Sequence, residues 1–178
     1  MTQNHPWHAV SCGEQAPEIV NAIIEIPKGS RAKYELDKAT GLLRLDRVLF
    51  AAVHYPANYG FIPHTYCGDR DPLDILVLCS LELQPLCLLE AYVIGVMHMH
   101  DSQAEDDKII AVARHDESVN SFRDIAELPP HTLLEIKHFF ENYKKLEHKE
   151  STVDKLAGRT EAQYVISQSM QRYQQAFG

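Results

Sequence analysis

Between about Val20 and Val112 the apolar residues come in short runs that are rich in β-branched and aromatic side chains. Runs of this length and composition are typical of β-strands. We therefore expect strands at AIIEI, AKYEL, LLRLDRVLF, LDILVL, AYVIGVM and KIIAVA. Several short strands in succession predict a small closed barrel over about residues 20–112.

Two breaks in this pattern are informative. The segment DKATG separates two runs in which charged residues alternate with apolar ones, which predicts a hairpin whose Gly41 takes a positive φ. Lys33, Glu35 and Arg47 then lie on paired strands. The stretch HYPANYGFIPHTYCGDRDP is rich in proline and glycine, so we expect an ordered irregular loop there. A long loop inside a compact domain is often functional.

The pattern changes near residue 130. Leu133, Ile136 and Phe140 recur at helical spacing and predict a helix over about residues 130–148, and a second helix is expected over about 161–177. Strands followed by helices indicate a mainly β fold with α, in which two helices from the C-terminal half pack beside the barrel.

Length, composition and charge reduce the number of function classes that are compatible with this chain. A chain of 178 residues suits one domain, residues 1–178. With 17 Lys and Arg against 25 Asp and Glu the net charge is −8, which disfavours partners that are bound through phosphate neutralisation, such as nucleic acid or anionic membranes. The N-terminus lacks a basic, apolar leader and no stretch reaches the roughly 18 apolar residues of a membrane span, so we expect a cytoplasmic protein.

Two clusters of carboxylates flank predicted strands. Asp69, Asp71 and Asp74 lie immediately before or at the start of LDILVL, and a second cluster follows AYVIGVM and precedes KIIAVA. The members of the second cluster are Asp101, Glu105, Asp106 and Asp107. The clusters converge if these strands are neighbours in one sheet. Crowded carboxylates either spread into water or bind a divalent cation, so solvated turns remain the alternative.

Oxygen ligands of this kind suit Mg²⁺, Mn²⁺ or Ca²⁺, and the residues of a typical zinc site do not accompany them. An EF-hand loop fails from either cluster, because Asp74 or Asp106 stands where glycine is required. Magnesium is therefore favoured.

Cationic residues accompany the acids. Lys33, Arg47, Lys108 and Lys144 lie in or beside otherwise apolar segments, and an acidic metal site next to several cations is typical of a phosphate-binding cleft. The alternative for Lys33 and Arg47 is an exposed cross-strand ion pair with Glu35 or Asp46. For Tyr55, Tyr59 and Tyr143 the alternative is simple packing.

Together these residues resemble the family I soluble inorganic pyrophosphatases. The family signature is Asp, any residue, Asp, Pro, apolar, Asp, apolar, and it occurs here as DRDPLDI from Asp69 to Ile75. Further similar segments follow in the family's order over about residues 23–147: IIEIPKG, KYELDKATG, LDRVL, YPANYGFIPHT, DDKIIAV, ELPP and HFFENYKKLE.

The resemblance implies a five-stranded, OB-like barrel and hydrolysis of pyrophosphate to two orthophosphates with several Mg²⁺ ions, for which Mn²⁺ is a possible substitute. It implies that Asp71 is the general base, with Glu25 and Glu35 on the same acidic rim. The implied metal ligands are Asp69, Asp74, Asp101 and Asp106. The implied substrate-binding residues are Lys33, Glu35, Arg47, Tyr59, Lys108, Tyr143 and Lys144, of which Lys33, Arg47 and Tyr59 join Asp71 in catalysis.

The sequence departs from many bacterial members at Ser102, where they carry a second acid after the position of Asp101. The resemblance also favours a homohexamer over a dimer. Two other functions stay open at this point: a non-catalytic OB-type binding module, and a divalent-metal phosphomonoesterase that uses the same acidic cleft.

Overall fold

The computed structural model describes residues 5–102 and 104–178. Five strands form a closed ring, and the remaining elements lie around it. In chain order the elements are α1 (Pro6–Ala9), β1 (Ile19–Ile26), β2 (Ala32–Leu36), β3 (Leu43–Val48), β4 (Asn58–Ile62), β5 (Leu73–Leu78), β6 (Leu88–Asp101), β7 (Ala104–Glu105), β8 (Lys108–Ala113), α2 (Pro130–Asn142), β9 (Ser151–Gly158) and α3 (Arg159–Phe177).

The ring has the strand order β1-β4-β5-β8-β6, and it closes because β1 also pairs with β6. β5 and β8 run parallel, whereas the other neighbours in the ring are antiparallel. This arrangement confirms the predicted mainly β fold with a five-stranded, OB-like barrel and two helices in the C-terminal half.

Successive residues of the barrel strands pack into two separate hydrophobic clusters, as the alternation of side chains along a strand requires. Leu76 and Ile110 join the cluster that includes Phe139 and Phe140 of α2. Their neighbours Ile75 and Ile109 join the other cluster, which contains Ala162 and Ile166 of α3. The helices thus cover opposite surfaces of the barrel wall.

The hairpin β2–β3 forms its own two-stranded sheet. Lys33 pairs with Arg47 across it, and Gly41 in its turn has φ of 71°, so the predicted hairpin is confirmed. No helix in the described part of the chain is long and apolar enough to cross a membrane.

Three boundaries differ from the sequence-based expectation. β4 lies inside the predicted irregular loop, because Pro56 and Pro63 bracket a strand of only five residues. β9, between the helices, was not predicted. α2 ends at Asn142, short of the expected residue 148, and a 3-10 turn at Lys145–Glu147 follows. α3 begins at Arg159, close to the expected start.

Candidate active site

A cavity of about 280 Å³ opens where β4, β5, β6 and β8 meet the β2–β3 hairpin and the end of α2. Its walls are rich in charged groups of both signs. A larger groove of about 800 Å³ beside α2 has one carboxylate, Glu135, among the described residues that line it. The smaller cavity is the candidate active site, because it brings together acids, cations and tyrosines.

The parallel pairing of β5 with β8 brings the two acidic clusters together. Asp74 lies opposite Lys108 in this pairing. Lys108 is 2% exposed, and its Nζ donates hydrogen bonds to Asp74 Oδ2 at 2.6 Å and to Asp106 Oδ1 at 2.8 Å. The predicted convergence of the clusters is therefore confirmed for Asp74 and Asp106.

The charges of this group depend on one another. Burial by itself lowers the pKa of Lys108, but Asp74 and Asp106 outweigh burial and raise the pKa well above its usual value. Burial raises the pKa of Asp74 despite the opposing effect of Lys108. The ammonium thus stays charged, because without it two carboxylates would face each other in a poorly hydrated site.

Tyr59 extends this group from β4. Its hydroxyl donates a 2.5 Å hydrogen bond to Asp74 Oδ2, and its ring lies 5.5 Å from Lys108 Nζ. Burial and the nearby Asp74 and Asp106 raise the pKa of Tyr59 well above its usual value, so the hydroxyl keeps its proton and acts as a donor. The nearly buried Tyr55 packs behind this ring, with 5.4 Å between the centroids.

Asp71 lies at the rim of the cavity, on the loop before β5. Its side chain is about half exposed, and its backbone N–H donates to Asp69 Oδ1 at 3.1 Å. The same loop is held at its base by Thr65, whose hydroxyl accepts the N–H of Leu73 at 2.8 Å and donates to Ile62 O. Asp71 is therefore placed by a braced loop and remains accessible to solvent.

The far wall comes from the ends of β6 and α2. Asp101, the last residue of β6, forms an ion pair with Lys144 just after α2. Burial alone raises the pKa of Asp101, but the hydrogen bond and the charge of Lys144, with smaller effects of Ser102 and Lys108, together outweigh burial and lower the pKa. Tyr143, at the C-terminus of α2, is 4% exposed and faces the same cavity.

The hairpin supplies Lys33 and Glu35, which line the cavity and form an ion pair with each other. Lys33 also contacts Asp46 at 3.3 Å, and Arg47 pairs with Asp46 and donates through Nε to Glu147 at 2.9 Å. Of the cross-strand ion pairs that the sequence offered as an alternative, Lys33–Asp46 is present, whereas Lys33–Glu35 and Arg47–Asp46 each lie within one strand. The Nη2 of Arg47 is buried and has no hydrogen-bond partner in the described ranges.

The donor set is suited to a hard divalent cation. Carboxylates and tyrosine hydroxyls line the cavity, and neither cysteine nor histidine is among its described lining residues. Within residues 5–102 and 104–178, no three Asp, Glu, His or Cys side chains already converge as a metal site would require. Instead, the Lys108 ammonium lies between Asp74 and Asp106.

Comparison with known proteins places this site in a family. A sequence profile of inorganic pyrophosphatases matches residues 22–174. The soluble inorganic pyrophosphatase 2 of Chlamydomonas reinhardtii is 52% identical over 99% of this chain and 92% of its own length. The chain belongs to the inorganic pyrophosphatase family.

Other members of the inorganic pyrophosphatase family agree with this assignment. The soluble inorganic pyrophosphatase of Oryza sativa subsp. indica is 52% identical over 95% of this chain and 79% of its own length. The crystal structure of inorganic pyrophosphatase from Thermus thermophilus matches with a TM-score of 0.90 at 40% identity, covering 93% of this chain and 97% of that one.

In this inorganic pyrophosphatase family member, the cavity collects most of the residues singled out from the sequence. The predicted residues that line it are Lys33, Glu35, Tyr59, Asp71, Asp74, Asp101, Asp106, Lys108, Tyr143 and Lys144. Arg47 and Asp69 are not among its lining residues: Arg47 lies beside Lys33 in the hairpin, and Asp69 is an exposed residue on the Asp71 loop. Their roles stay predictions.

Trp7 and Lys38 are among the lining residues of the pyrophosphatase cavity that were not predicted from sequence. Trp7 comes from the N-terminal α1, far in sequence from the Asp71 loop, and Lys38 lies in the turn of the hairpin. The one signal that the sequence offered for Trp7 is that it is the only tryptophan in the chain. The structure buries it to 4% exposure.

Proposed function

We propose that this protein hydrolyses inorganic pyrophosphate to two orthophosphates in the cavity described above. Membership of the inorganic pyrophosphatase family supports this function. The observation that carries it is the Lys108 ammonium held between Asp74 and Asp106, since this arrangement places oxygen ligands for cations and a buried positive charge for phosphate side by side.

The reaction uses divalent cations, with Mg²⁺ as the physiological ion and Mn²⁺ as a substitute. Asp69, Asp74, Asp101 and Asp106 would hold them, because their carboxylate oxygens are the ligands that such ions prefer. When bound, divalent cations would neutralise the charge of the phosphoanhydride substrate and make a bound water more acidic, which a weak nucleophile such as water requires.

Asp71 accepts the proton of the attacking water. Its Oδ1 is paired with Lys38, which leaves Oδ2 as the acceptor, and its half-exposed position at the rim gives water access. Because Asp71 is on the same short loop as Asp69 and directly before β5, the base and the ligands of the cations are fixed relative to one another.

Cationic and hydroxyl groups bind the two phosphoryl groups and stabilise the charge that develops on the leaving phosphate. Lys33 acts from the hairpin, Lys144 acts from the end of α2, and the buried Lys108 acts from β8. Tyr143 donates a hydrogen bond, and Tyr59, whose hydroxyl donates to Asp74 in the absence of substrate, turns that donor to a phosphoryl oxygen. Arg47 adds a positive charge beside Lys33, and Glu35 orients Lys33 through their ion pair.

A non-catalytic binding module and a phosphomonoesterase are disfavoured. A module that binds nucleic acid strands needs a basic groove with exposed aromatic residues, whereas this cavity is rich in carboxylates. No observation favours a phosphomonoester over pyrophosphate, and the relatives that are 52% identical to this chain are named as pyrophosphatases.

The experiment that tests the function is the release of orthophosphate from pyrophosphate, measured with Mg²⁺, with a chelator, and with a phosphomonoester as control substrate. We expect rapid release from pyrophosphate that the chelator abolishes. A folded, Mg²⁺-supplied protein that releases none overturns the proposal, and equal release from the phosphomonoester favours the alternative enzyme.

Asp71→Asn tests the assignment of the base. The substitution keeps the volume but removes the proton acceptor, so we expect kcat to fall by about 10²- to 10⁴-fold with the thermal unfolding curve unchanged. Turnover close to wild type in the folded variant would transfer the role of general base to another group.

The cytoplasmic location also stays a prediction, which cell fractionation would check.

A further inference from the structure

Lys38 makes a contact with the proposed base that the sequence did not indicate. Its Nζ forms an ion pair with Asp71 Oδ1 and donates a hydrogen bond to the backbone oxygen of Arg70 at 3.1 Å. Arg70 has φ of 71°, in the left-handed region that non-glycine residues seldom adopt. Lys38 therefore holds both the carboxylate and the unusual backbone immediately before it.

The turn that carries Lys38 is itself ordered by local hydrogen bonds. Asp37 Oδ1 accepts the N–H of Thr40 at 2.9 Å and its hydroxyl hydrogen at 2.8 Å, and Asp37 also pairs with Arg44. Gly41 supplies the positive φ that closes the turn. The backbone of Lys38 is thus held in an ordered turn between β2 and β3.

Trp7 provides a wall beside the Lys38 side chain. The ring is 4% exposed, its Nε1 donates to Thr65 O at 2.9 Å, and Lys38 Nζ lies 6.0 Å from its centroid. That distance is within the range of a cation–π contact. Since Thr65 also braces the loop before β5, Trp7 and Lys38 support the Asp71 loop from two sides.

We propose that Lys38 is a positioning residue that orients the Asp71 carboxylate, and that Trp7 fixes Lys38 for this task. The inference rests on the proposed role of Asp71. Lys38 connects two segments that share no sheet, the β2–β3 hairpin and the loop before β5, and it occupies Oδ1 so that Oδ2 is the oxygen presented to water. A small misplacement of a reacting group reduces turnover more than it reduces substrate binding.

The first test compares Lys38→Met with Lys38→Arg. Methionine keeps much of the side-chain length but removes the charge, and we expect kcat to fall by about 10- to 100-fold while KM changes by less than about twofold. Arginine restores a cation, so it is expected to recover most of the lost kcat. Lys137→Met is the matched control, because Lys137 pairs with Glu141 on an exposed face of α2.

The second test is a double-mutant cycle with Asp71→Asn. If Lys38 acts through the Asp71 carboxylate, adding Lys38→Met to the Asp71→Asn protein changes kcat by less than about twofold. A loss of the same size in both backgrounds overturns the inference, because Lys38 then acts on something other than Asp71. A Lys38→Met protein with kcat within about twofold of wild type overturns it as well.

The third readout needs neither metal nor turnover. Trp7 is the only tryptophan in the chain, so intrinsic fluorescence of the metal-free protein reports on its surroundings. We expect Lys38→Met to change the emission and Lys137→Met to leave it unchanged. Identical spectra for all three proteins would remove Trp7 from the proposal.

Failure of this inference and failure of the function are separate results. An inactive wild-type protein overturns the function and, with it, the role of Lys38 in the reaction. An active wild-type protein with an unaffected Lys38→Met variant overturns only the positioning role.

Discussion

The protonation states of individual residues in this site depend on burial and on neighbouring charges. Lys108 is almost completely buried, yet it remains cationic because two carboxylates lie within 2.8 Å of its Nζ. Glu25 shows the opposite response in the same cavity. It is 8% exposed, and its Oε1 accepts the N–H of Leu36 at 2.7 Å, but no cation neutralises it at that distance among the described residues.

Glu25 gives a prediction for pH. Burial, with Asp74 next in importance, raises its pKa from 4.5 to about 8. The folded state therefore binds a proton that the unfolded state has lost between these values, so the free energy of unfolding decreases as pH rises, by about 1.4 kcal/mol per unit at most. Glu25→Gln keeps an acceptor for Leu36 but cannot ionise, and it removes this decrease.

Unfolding of the metal-free protein, measured in chelator at pH 5, 6, 7 and 8, checks the prediction. The free energy of unfolding of Glu25→Gln relative to wild type is expected to increase progressively from pH 5 to pH 8. The exposed Glu14→Gln is the control and should follow wild type. A stability difference that is the same at every pH would contradict the raised pKa.

At the residue scale, the sequence predicted best those site residues that lie close to one another in the chain. The motif at residues 69–75 identified Asp71 and Asp74 because the two carboxylates are close in sequence, one on the loop before β5 and one at the start of β5. Trp7 and Lys38 were missed because their contacts with Thr65 and Asp71 join segments distant in sequence, and neither residue belongs to a periodic pattern. The protonated form of Glu25, which burial favours, likewise depends on tertiary packing and could not be predicted from the sequence.

Among the elements, the strand β4 could not be predicted from its composition, but the closed ring requires a strand at its position. It lies between β1 and β5 in the ring, and Gly60 pairs with Ile24 and Ile75. Proline and glycine around it suggested a loop, whereas the glycine is there because two backbones approach closely. A Cβ at residue 60 would lie 1.9 Å from Ile23 O and 2.8 Å from Ile24 Cα.

Gly60→Ala is therefore expected to force β1 away from β4. Because the obstructing atoms are backbone, a side-chain rotation cannot relieve the overlap, and we expect a loss of about 3 kcal/mol or more in the free energy of unfolding. Gly68→Ala is the control, since no atom lies within 4 Å of its added Cβ. Denaturant unfolding measures both, and equal stability of the two variants would contradict the close packing.

β9 was missed for a different reason. Its sequence STVDKLAG lacks a regular alternation of apolar and polar residues, and only Val153 is fully buried. It forms because the 14-residue β6 offers a long edge with which it pairs. The existence of this strand follows from its partner, so its own sequence carries little signal.

At the scale of the whole molecule, exposed apolar side chains on and just after the hairpin favour contacts between copies of the chain. Leu45, Val48 and Phe50 are each more than half exposed, and clustered exposed apolar residues are typical of protein contacts. Together with the family resemblance, they lead us to predict a homohexamer. Sedimentation equilibrium should give six times the 20.2 kDa chain mass, whereas twice that mass would support the dimer and contradict the prediction.

Closure of the barrel has a consequence for how the chain reaches its native state. β1 pairs with residues 88–92 at the start of β6, so the ring cannot close by local contacts alone. Chains that depend on such distant pairing must lose loop entropy before they gain contacts, and they fold in milliseconds to seconds rather than microseconds. Until β6 arrives, β1 has one unpaired edge, and the newly synthesised chain is most vulnerable to aggregation during that interval.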